Sequence, residues 1–248
     1  MARFENTVAI VTGGARGMGA SHVRGLVAEG AKVVFGDILD EEGKKLEEEL
    51  GDSSLYVHLD VTQPSQWADA VSTTEKLFGP VDLLVNNAGI VAFGPIDKMA
   101  PEEFRRVIDI NLFGTFLGMQ EVIPSMRKAG KGVIINISST AGLMGYANIG
   151  AYTASKWGVR GLTKAAAMEL GTDGIRVVSI HPGPIRTPMT DGIGEAMCQT
   201  QPIKRFGEPE EVTKLVLFLA AEATYSTGSE FVVDGGAVLG PVFDLPTE

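Results

Sequence analysis

Tyr152 and Lys156 stand four residues apart in a segment, 151–170, that reads as helical and stops at Gly171. Side chains at that spacing project from one face, so a phenol and an ammonium share a site. A phenol of pKa about 10 is a weak base at neutral pH, but a nearby cation favours the phenolate, each unit of lowering being worth roughly 1.4 kcal/mol. Such a pair suits proton exchange with an alcohol or carbonyl oxygen. The apolar run 133–137 delivers Ser138 and Ser139 at its end, and either hydroxyl can donate to the same oxygen. Taken alone, a Tyr/Lys pair is more often a solvated helix face and two serines a capped strand end. The rest of the chain must supply the context.

That context starts at residues 8–11, an apolar run leading directly into Thr12-Gly13-Gly14-Ala15-Arg16-Gly17-Met18-Gly19 and then a helical pattern over 20–29. Glycines permit a tight turn and close backbone approach, and the helix start offers free N–H groups to a pyrophosphate. The spacing is G-x-x-x-G-x-G rather than G-x-G-x-x-G. About 20 residues on, the next apolar run ends at Phe35-Gly36-Asp37, where a carboxylate accepts from an adenosine ribose and repels a 2′-phosphate. NAD is therefore expected over NADP. Arg16 pulls the other way, since a guanidinium beside the loop pairs with a 2′-phosphate, but a carboxylate facing a phosphate in a partly dry site costs more. Asp60, in Asp60-Val61-Thr62, either contacts adenine or caps its own turn. Asn86-Asn87-Ala88-Gly89 suits a tight bend over the cofactor.

These residues sit on an alternating framework. Runs 8–11, 32–35, 55–59, 81–85, 133–137, 176–180 and 230–233 read as strands, and 41–50, 66–78, 102–126 and 154–170 as helices. Strand–helix alternation predicts an α/β fold: one domain over 1–248, with a doubly wound parallel sheet of seven strands and helices on both faces. Ligands bind such sheets beyond the strands' carboxyl ends. Residues 188–206 are weakly periodic and suit a lid, within which Met189, Ile193 and Met197 face substrate if the segment is helical. With Phe93, Leu143 and Met144 they line a wide apolar pocket, plain packing or a subunit contact being the alternative. The strand over 230–233 and the tail after Gly236 suit a subunit contact, while the tail 241–248 has no readable structure.

Composition narrows the function further. The net charge of −10 repels nucleic acid and anionic membranes, and no apolar run approaches spanning length. The first such run is too short for a signal peptide, and a single cysteine, Cys198, makes a reducing cytoplasm the default. Three scattered histidines, His22, His58 and His181, without a cysteine pair give no metal site and no hydrolase triad. No catalytic metal is expected.

In combination, the Thr12–Gly19 loop, Asn86-Asn87-Ala88-Gly89, Asn111, Ser139, Tyr152-Thr153-Ala154-Ser155-Lys156 and Pro182-Gly183 resemble, in order and across nearly the whole chain, the classical short-chain dehydrogenases/reductases. The resemblance implies a tetrad: Asn111 holding a water relay, Ser139 rather than Ser138 polarising the substrate oxygen, Tyr152 as acid/base, and Lys156 lowering its pKa and binding nicotinamide ribose. It extends the cofactor set to Val61, Pro182, Gly183, Ile185 and the carboxamide contact Thr187. It also implies strand order 3-2-1-4-5-6-7 and a homotetramer.

Gly36-Asp37-Ile38-Leu39-Asp40, the run 155–162, His181-Pro182-Gly183 and Thr187-Pro188-Met189-Thr190 look most like the family's bacterial 3α,20β-hydroxysteroid branch. A steroid alcohol or ketone is thus the expected substrate, with 3-oxoacyl thioesters and small ketones as alternatives. A methyltransferase would leave Tyr152 and Lys156 unexplained, and a non-catalytic NAD sensor would not need the tetrad. One departure is Val178, where relatives usually carry an asparagine, so hydrogen bonding near the site is expected to differ.

Overall fold

Strands made of Val, Ile and Leu with no polar alternation must be covered on both sides, and only a sheet sandwiched between helices does this. The computed structural model describes residues 2–242 and shows that arrangement. The strands are β1 (Val8–Thr12), β2 (Lys32–Asp37), β3 (Ser54–His58), β4 (Leu83–Asn86), β5 (Gly132–Ile137), β6 (Ile175–Pro182) and β7 (Glu230–Val233). They form one parallel sheet in the order β3-β2-β1-β4-β5-β6-β7, as expected. Order reverses between β1 and β4, and the crevice this opens at their carboxyl ends is where the glycine loop and the Asn87 bend meet.

The helices between them are α1 (Gly17–Ala28), α2 (Asp40–Leu50), α3 (Pro64–Leu77), α4 (Pro101–Ile108), α5 (Gly114–Ala129), α6 (Gly150–Leu170) and α7 (Pro209–Ala221). One core layer packs Val23, Leu26, Val212, Val216 and Leu219 of α1 and α7 against Val11, Val33, Phe35 and Ile180. The other packs Trp67, Leu117, Val122, Met126 and Leu170 of α3, α5 and α6 against Ile10, Val34, Leu84 and Ile134. No helix among the described residues is long and apolar enough to cross a membrane.

One feature departs from the sequence reading, and the structure resolves two that it left open. The single helix expected over 102–126 is broken into α4 and α5 by a π-helical turn, Asp109–Phe113, with the buried Asn111 inside it. A π turn adds one residue without glycine or proline to announce it, so apolar periodicity passes over it. The segment 188–206 is not one helix but two short 3₁₀ turns, Pro188–Thr190 and Glu195–Cys198, separated by Gly192 at φ +82°. Val178 packs in the α1/α7 core layer, so the missing asparagine is replaced by apolar contact. Of the unplaced tail, 243–248 lies outside the described residues.

A buried polar ladder ties the sheet to the helices that carry the chemistry. Asn86 Nδ2 on β4 donates to Asn136 Oδ1 on β5 at 2.9 Å and to the Thr115 carbonyl at 3.3 Å. Asn136 Nδ2 donates in turn to Thr163 Oγ1 on α6 at 3.0 Å. Asn136→Ala leaves both partners short in a dry interior and is expected to lower unfolding free energy by about 1–3 kcal/mol. Urea unfolding checks this, and an unchanged midpoint would mean that the ladder contributes nothing.

Candidate functional site

The glycine loop owes its shape to close approaches that no side chain would permit. Gly13 has φ +62°, and a Cβ there would stand 2.9 Å from the Ala88 Cα; one at Gly19 would overlap the Gly13 carbonyl. Thr12 Oγ1 accepts from the Asn87 and Ala88 N–H groups, each at 3.0 Å, and Asn87 Nδ2 donates to the Thr12 and Gly13 carbonyls. The β1 and β4 ends are thereby locked together. Asn87 Oδ1 is left buried with no partner.

Between them opens a cleft of about 400 Å³, lined by Gly13, Arg16, Gly17, Met18, Asp37, Asp60, Val61, Asn87, Ala88, Gly89, Thr187 and Met189 among others. At one end Asp37 is fixed by the N–H groups of Ala15, Ile38 and Leu39 at 3.1, 2.8 and 3.2 Å. The α1 N-terminus faces in with no acidic residue in its first turn, and Arg16 is exposed beside it. A slot this shape, with free helix N–H groups, a carboxylate at one end and an unpaired amide oxygen, fits a dinucleotide.

Three residues expected at the cofactor are not among those lining the cleft. Ile185 is core, bridging to Gly207, and Pro182 is buried. A Cβ on Gly183 would press on the Asp234 backbone at 2.7 Å, so the position needs glycine for packing. Asp60 caps its own turn, its Oδ1 accepting from the Thr62 N–H and hydroxyl, and the residue also lines the cleft. The sequence reading missed Ile38, Leu39, Leu59, Ile90 and Ile110, which give the cleft apolar walls. Ile38, exposed directly after the acid, was the readable signal.

Beside Gly89 and Ile90, which line the cleft, the four tetrad positions come together. Lys156 is 4% exposed, and its Nζ donates to the Ile137 carbonyl at 2.8 Å and sits 5.6 Å from the Tyr152 ring centre. Burial without a carboxylate partner lowers its pKa to about 8. Burial likewise raises the Tyr152 pKa, against the hydrogen bond from Ser139, which lowers it. In the ligand-free site the phenol is therefore raised rather than lowered, because desolvation outweighs the Ser139 hydrogen bond. Asn111 Oδ1 accepts from the Ile90 N–H at 2.8 Å, and its Nδ2 donates to the Ile90 carbonyl and to Ser155 Oγ. Ser138 turns inward and donates to the Lys156 carbonyl at 3.0 Å, whereas Ser139 faces Tyr152.

The apolar residues assigned to substrate are less gathered. Met189 lines the cleft; Phe93, Met144 and Met197 are exposed, and Ile193 is partly so. The Phe93 and Met144 loops meet where the Gly94 N–H donates to the Asn148 carbonyl at 2.8 Å. The segment 188–206 is pinned at its far end by Val242 N–H to the Thr200 carbonyl and Ile203 N–H to the Gly235 carbonyl. Among the described residues no cluster of three or more His, Cys, Asp or Glu side chains is placed to hold a metal ion.

Comparison with known proteins agrees with this geometry. The family model for short chain dehydrogenases matches residues 7–198. The chain is 59% identical to a 3-alpha-(or 20-beta)-hydroxysteroid dehydrogenase of Mycobacterium tuberculosis, over 96% of this chain and 92% of that protein. It is 47% identical to a trans-4-hydroxycyclohexanecarboxylate dehydrogenase of Sinomonas cyclohexanicum, over 96% and 95% of the two chains. Identity to a cyclopentanol dehydrogenase of Comamonas testosteroni is 44%, over 95% and 98%. The protein is thus an oxidoreductase belonging to the short-chain dehydrogenase family, whose dehydrogenases use nicotinamide cofactors.

Proposed function

We propose that this enzyme interconverts a secondary alcohol and its ketone on a saturated ring system, a hydroxysteroid above all, with NAD as cofactor. The observation that carries the reading is a buried, carboxylate-free Lys156 whose Nζ sits 5.6 Å from the Tyr152 ring centre, with Ser139 beside that ring, next to Gly89 of a cleft whose far end is Asp37. Bound nicotinamide supplies or takes up the hydride. Gly13, Gly17, Met18, Asn87, Ala88, Gly89 and Thr187 hold the cofactor, and Asp37 takes the adenosine ribose.

In alcohol oxidation Tyr152 Oη takes the substrate hydroxyl proton while the Ser139 hydroxyl steadies the oxygen; in reduction Tyr152 returns the proton. Lys156, short of acceptors apart from Ile137, holds the ribose hydroxyls, and its charge together with the cofactor's favours the phenolate. Asn111 fixes the Ile90 backbone and supports a water relay. The lid over 188–206, carrying Met189, Ile193 and Met197, closes with Phe93, Leu143 and Met144 over an apolar ring. The named relatives support a cyclic substrate, and the two cycloalkanol-type ones favour a smaller ring as the second reading. A cytoplasmic homotetramer completes the proposal, with Phe113, Phe116, Trp157 and Met168 exposed on or beside α5 and α6 as apolar surface for contact.

Purified protein is expected to consume NADH with 3- or 20-ketosteroids; turnover of acetoacetyl thioesters with NADPH in their place would overturn both substrate and cofactor. Tyr152→Phe should abolish turnover yet bind NADH normally by fluorescence titration, and near-normal activity would remove Tyr152 from the mechanism. Asp37→Ser should shift the NADH to NADPH preference by about ten-fold or more toward NADPH, through loss of charge repulsion at the ribose.

Lys156 makes a prediction of its own, since it titrates near 8 in the folded chain against 10.5 ordinarily. Below pH 8 folded and unfolded chains both hold the proton, and the burial cost is present in full. From pH 8 to 10.5 the folded chain releases it first, the unfolded chain binds more protons, and stability rises with pH. Without cofactor, wild type should therefore gain on Lys156→Met as pH climbs from 8 toward 10 in urea unfolding. A difference that stays constant with pH would show that the ammonium is not buried as described.

A further inference from the structure

His181 belongs to no metal site and no triad, yet it occupies a position from which β6 reaches the serine beside Tyr152. It is fully buried at the carboxyl end of the strand, and its Nδ1 stands 3.0 Å from the Ser139 carbonyl oxygen. A carbonyl only accepts, so Nδ1 carries the proton. Nε2 then holds a lone pair, and Ser179 Oγ, 2.9 Å away on the same face of the strand, donates to it. Both ring nitrogens are satisfied in one neutral tautomer, in contrast to His22, whose Nε2 is buried without a partner. Burial lowers the His181 pKa, in keeping with the neutral ring.

The backbone explains why a side chain is needed there. The β5–β6 ladder runs to the Ser138 N–H, which donates to the Ile180 carbonyl at 2.8 Å. Beyond it comes Pro182, which has no N–H and ends the ladder. Ser139 leaves the sheet past that last bond, extended at φ −170° and ψ 165°, and its hydroxyl accepts from the Ala141 N–H while it meets Tyr152. Its carbonyl would be free to turn if His181 did not hold it. The peptide plane and the hydroxyl share one Cα, so anchoring the first limits where the second points.

We propose that His181 is a positioning residue for the reaction: its Nδ1–H, set in that tautomer by Ser179, anchors the Ser139 carbonyl and so aims the Ser139 hydroxyl at the reacting oxygen. The inference rests on the reading that Ser139 steadies that oxygen. His181 itself touches neither substrate nor cofactor. Tautomer control matters, because a ring carrying its proton on Nε2 would set a lone pair against the Ser139 carbonyl.

The test is a double-mutant cycle on steady-state turnover with saturating NADH and ketone, with NADH affinity and thermal midpoint read on every variant. His181→Ala should lower kcat on the order of 10- to 100-fold, the cost of a misaimed group, with NADH affinity unchanged. His181→Asn, which keeps an N–H donor near the Nδ1 position, should recover most of it. Added to Ser139→Ala, His181→Ala should cause no further loss, since the histidine acts only through the serine. If His181→Ala does not fold, Ser179→Ala is run in the same cycle, with a smaller fall in kcat that again vanishes in the Ser139→Ala background. Multiplying losses in the double variant, or wild-type turnover by His181→Ala, would overturn the inference alone. Wild-type turnover by Ser139→Ala would overturn the reading of Ser139 and the inference with it.

Discussion

An ammonium group held in a dry interior with no carboxylate beside it is the constraint on which the rest of the site depends. Lys156 can remain there only if uncharged oxygens are brought to it, and the folded chain offers one, the Ile137 carbonyl at the open end of β5. Such a carbonyl is free because parallel strands end together on one side of the sheet, leaving their last acceptors unpaired. The helix carrying Lys156 must also lie close to that edge. Ser138 draws it in by donating to the Lys156 carbonyl, and Gly142 makes room, since a Cβ there would stand 2.8 Å from the same oxygen. Gly89 borders the lysine on the other side, where a Cβ would stand 3.3 Å from Asn111 Oδ1 and 3.4 Å from Nζ. The lysine's unmet demand for acceptors and the cleft's demand for a cation are one property seen from two sides.

The same edge accounts for what could be read from residue order. Strand positions and sheet order follow from runs of Val, Ile and Leu that no half-exposed strand would carry, and the glycine loop follows from a turn that must let two backbones touch. Tyr152 and Lys156 were visible because four-residue spacing on a helix is itself a geometric statement. These are local facts, and local patterns report them.

What escaped depends on contacts between distant segments. The π turn at Asp109–Phe113 places Asn111 so that its amide grips Ile90, a partner 21 residues away that periodicity cannot register. The segment 188–206 is weakly periodic in sequence, Gly192 and Gly194 divide it, and its fixed points are backbone bonds to Gly235 and Val242 near the other end of the chain. Gly183 and Ile185 resemble cofactor contacts in sequence, and the fold adds a packing demand at both, against the Asp234 backbone and in the core, which adjacency in a motif does not reveal. The direction of the Tyr152 shift was also beyond the sequence, since it is set by how much water the fold removes.

The pair Ser138 and Ser139 shows how a choice undecidable from residue type is settled by strand geometry. Successive side chains in an extended chain point to opposite faces, so two adjacent serines at the end of β5 cannot do the same work. One must turn toward α6 and the interior, and there Ser138 meets the Lys156 carbonyl in a buried contact that fixes the helix. The other must face the cleft, and there Ser139 meets Tyr152. Alternation then repeats one strand over: on β6, Ser179 and His181 are two apart and share a face, which lets one orient the other. The two-residue period that builds the sheet thus also divides its last residues between holding Lys156 in place and holding Ser139 to its task.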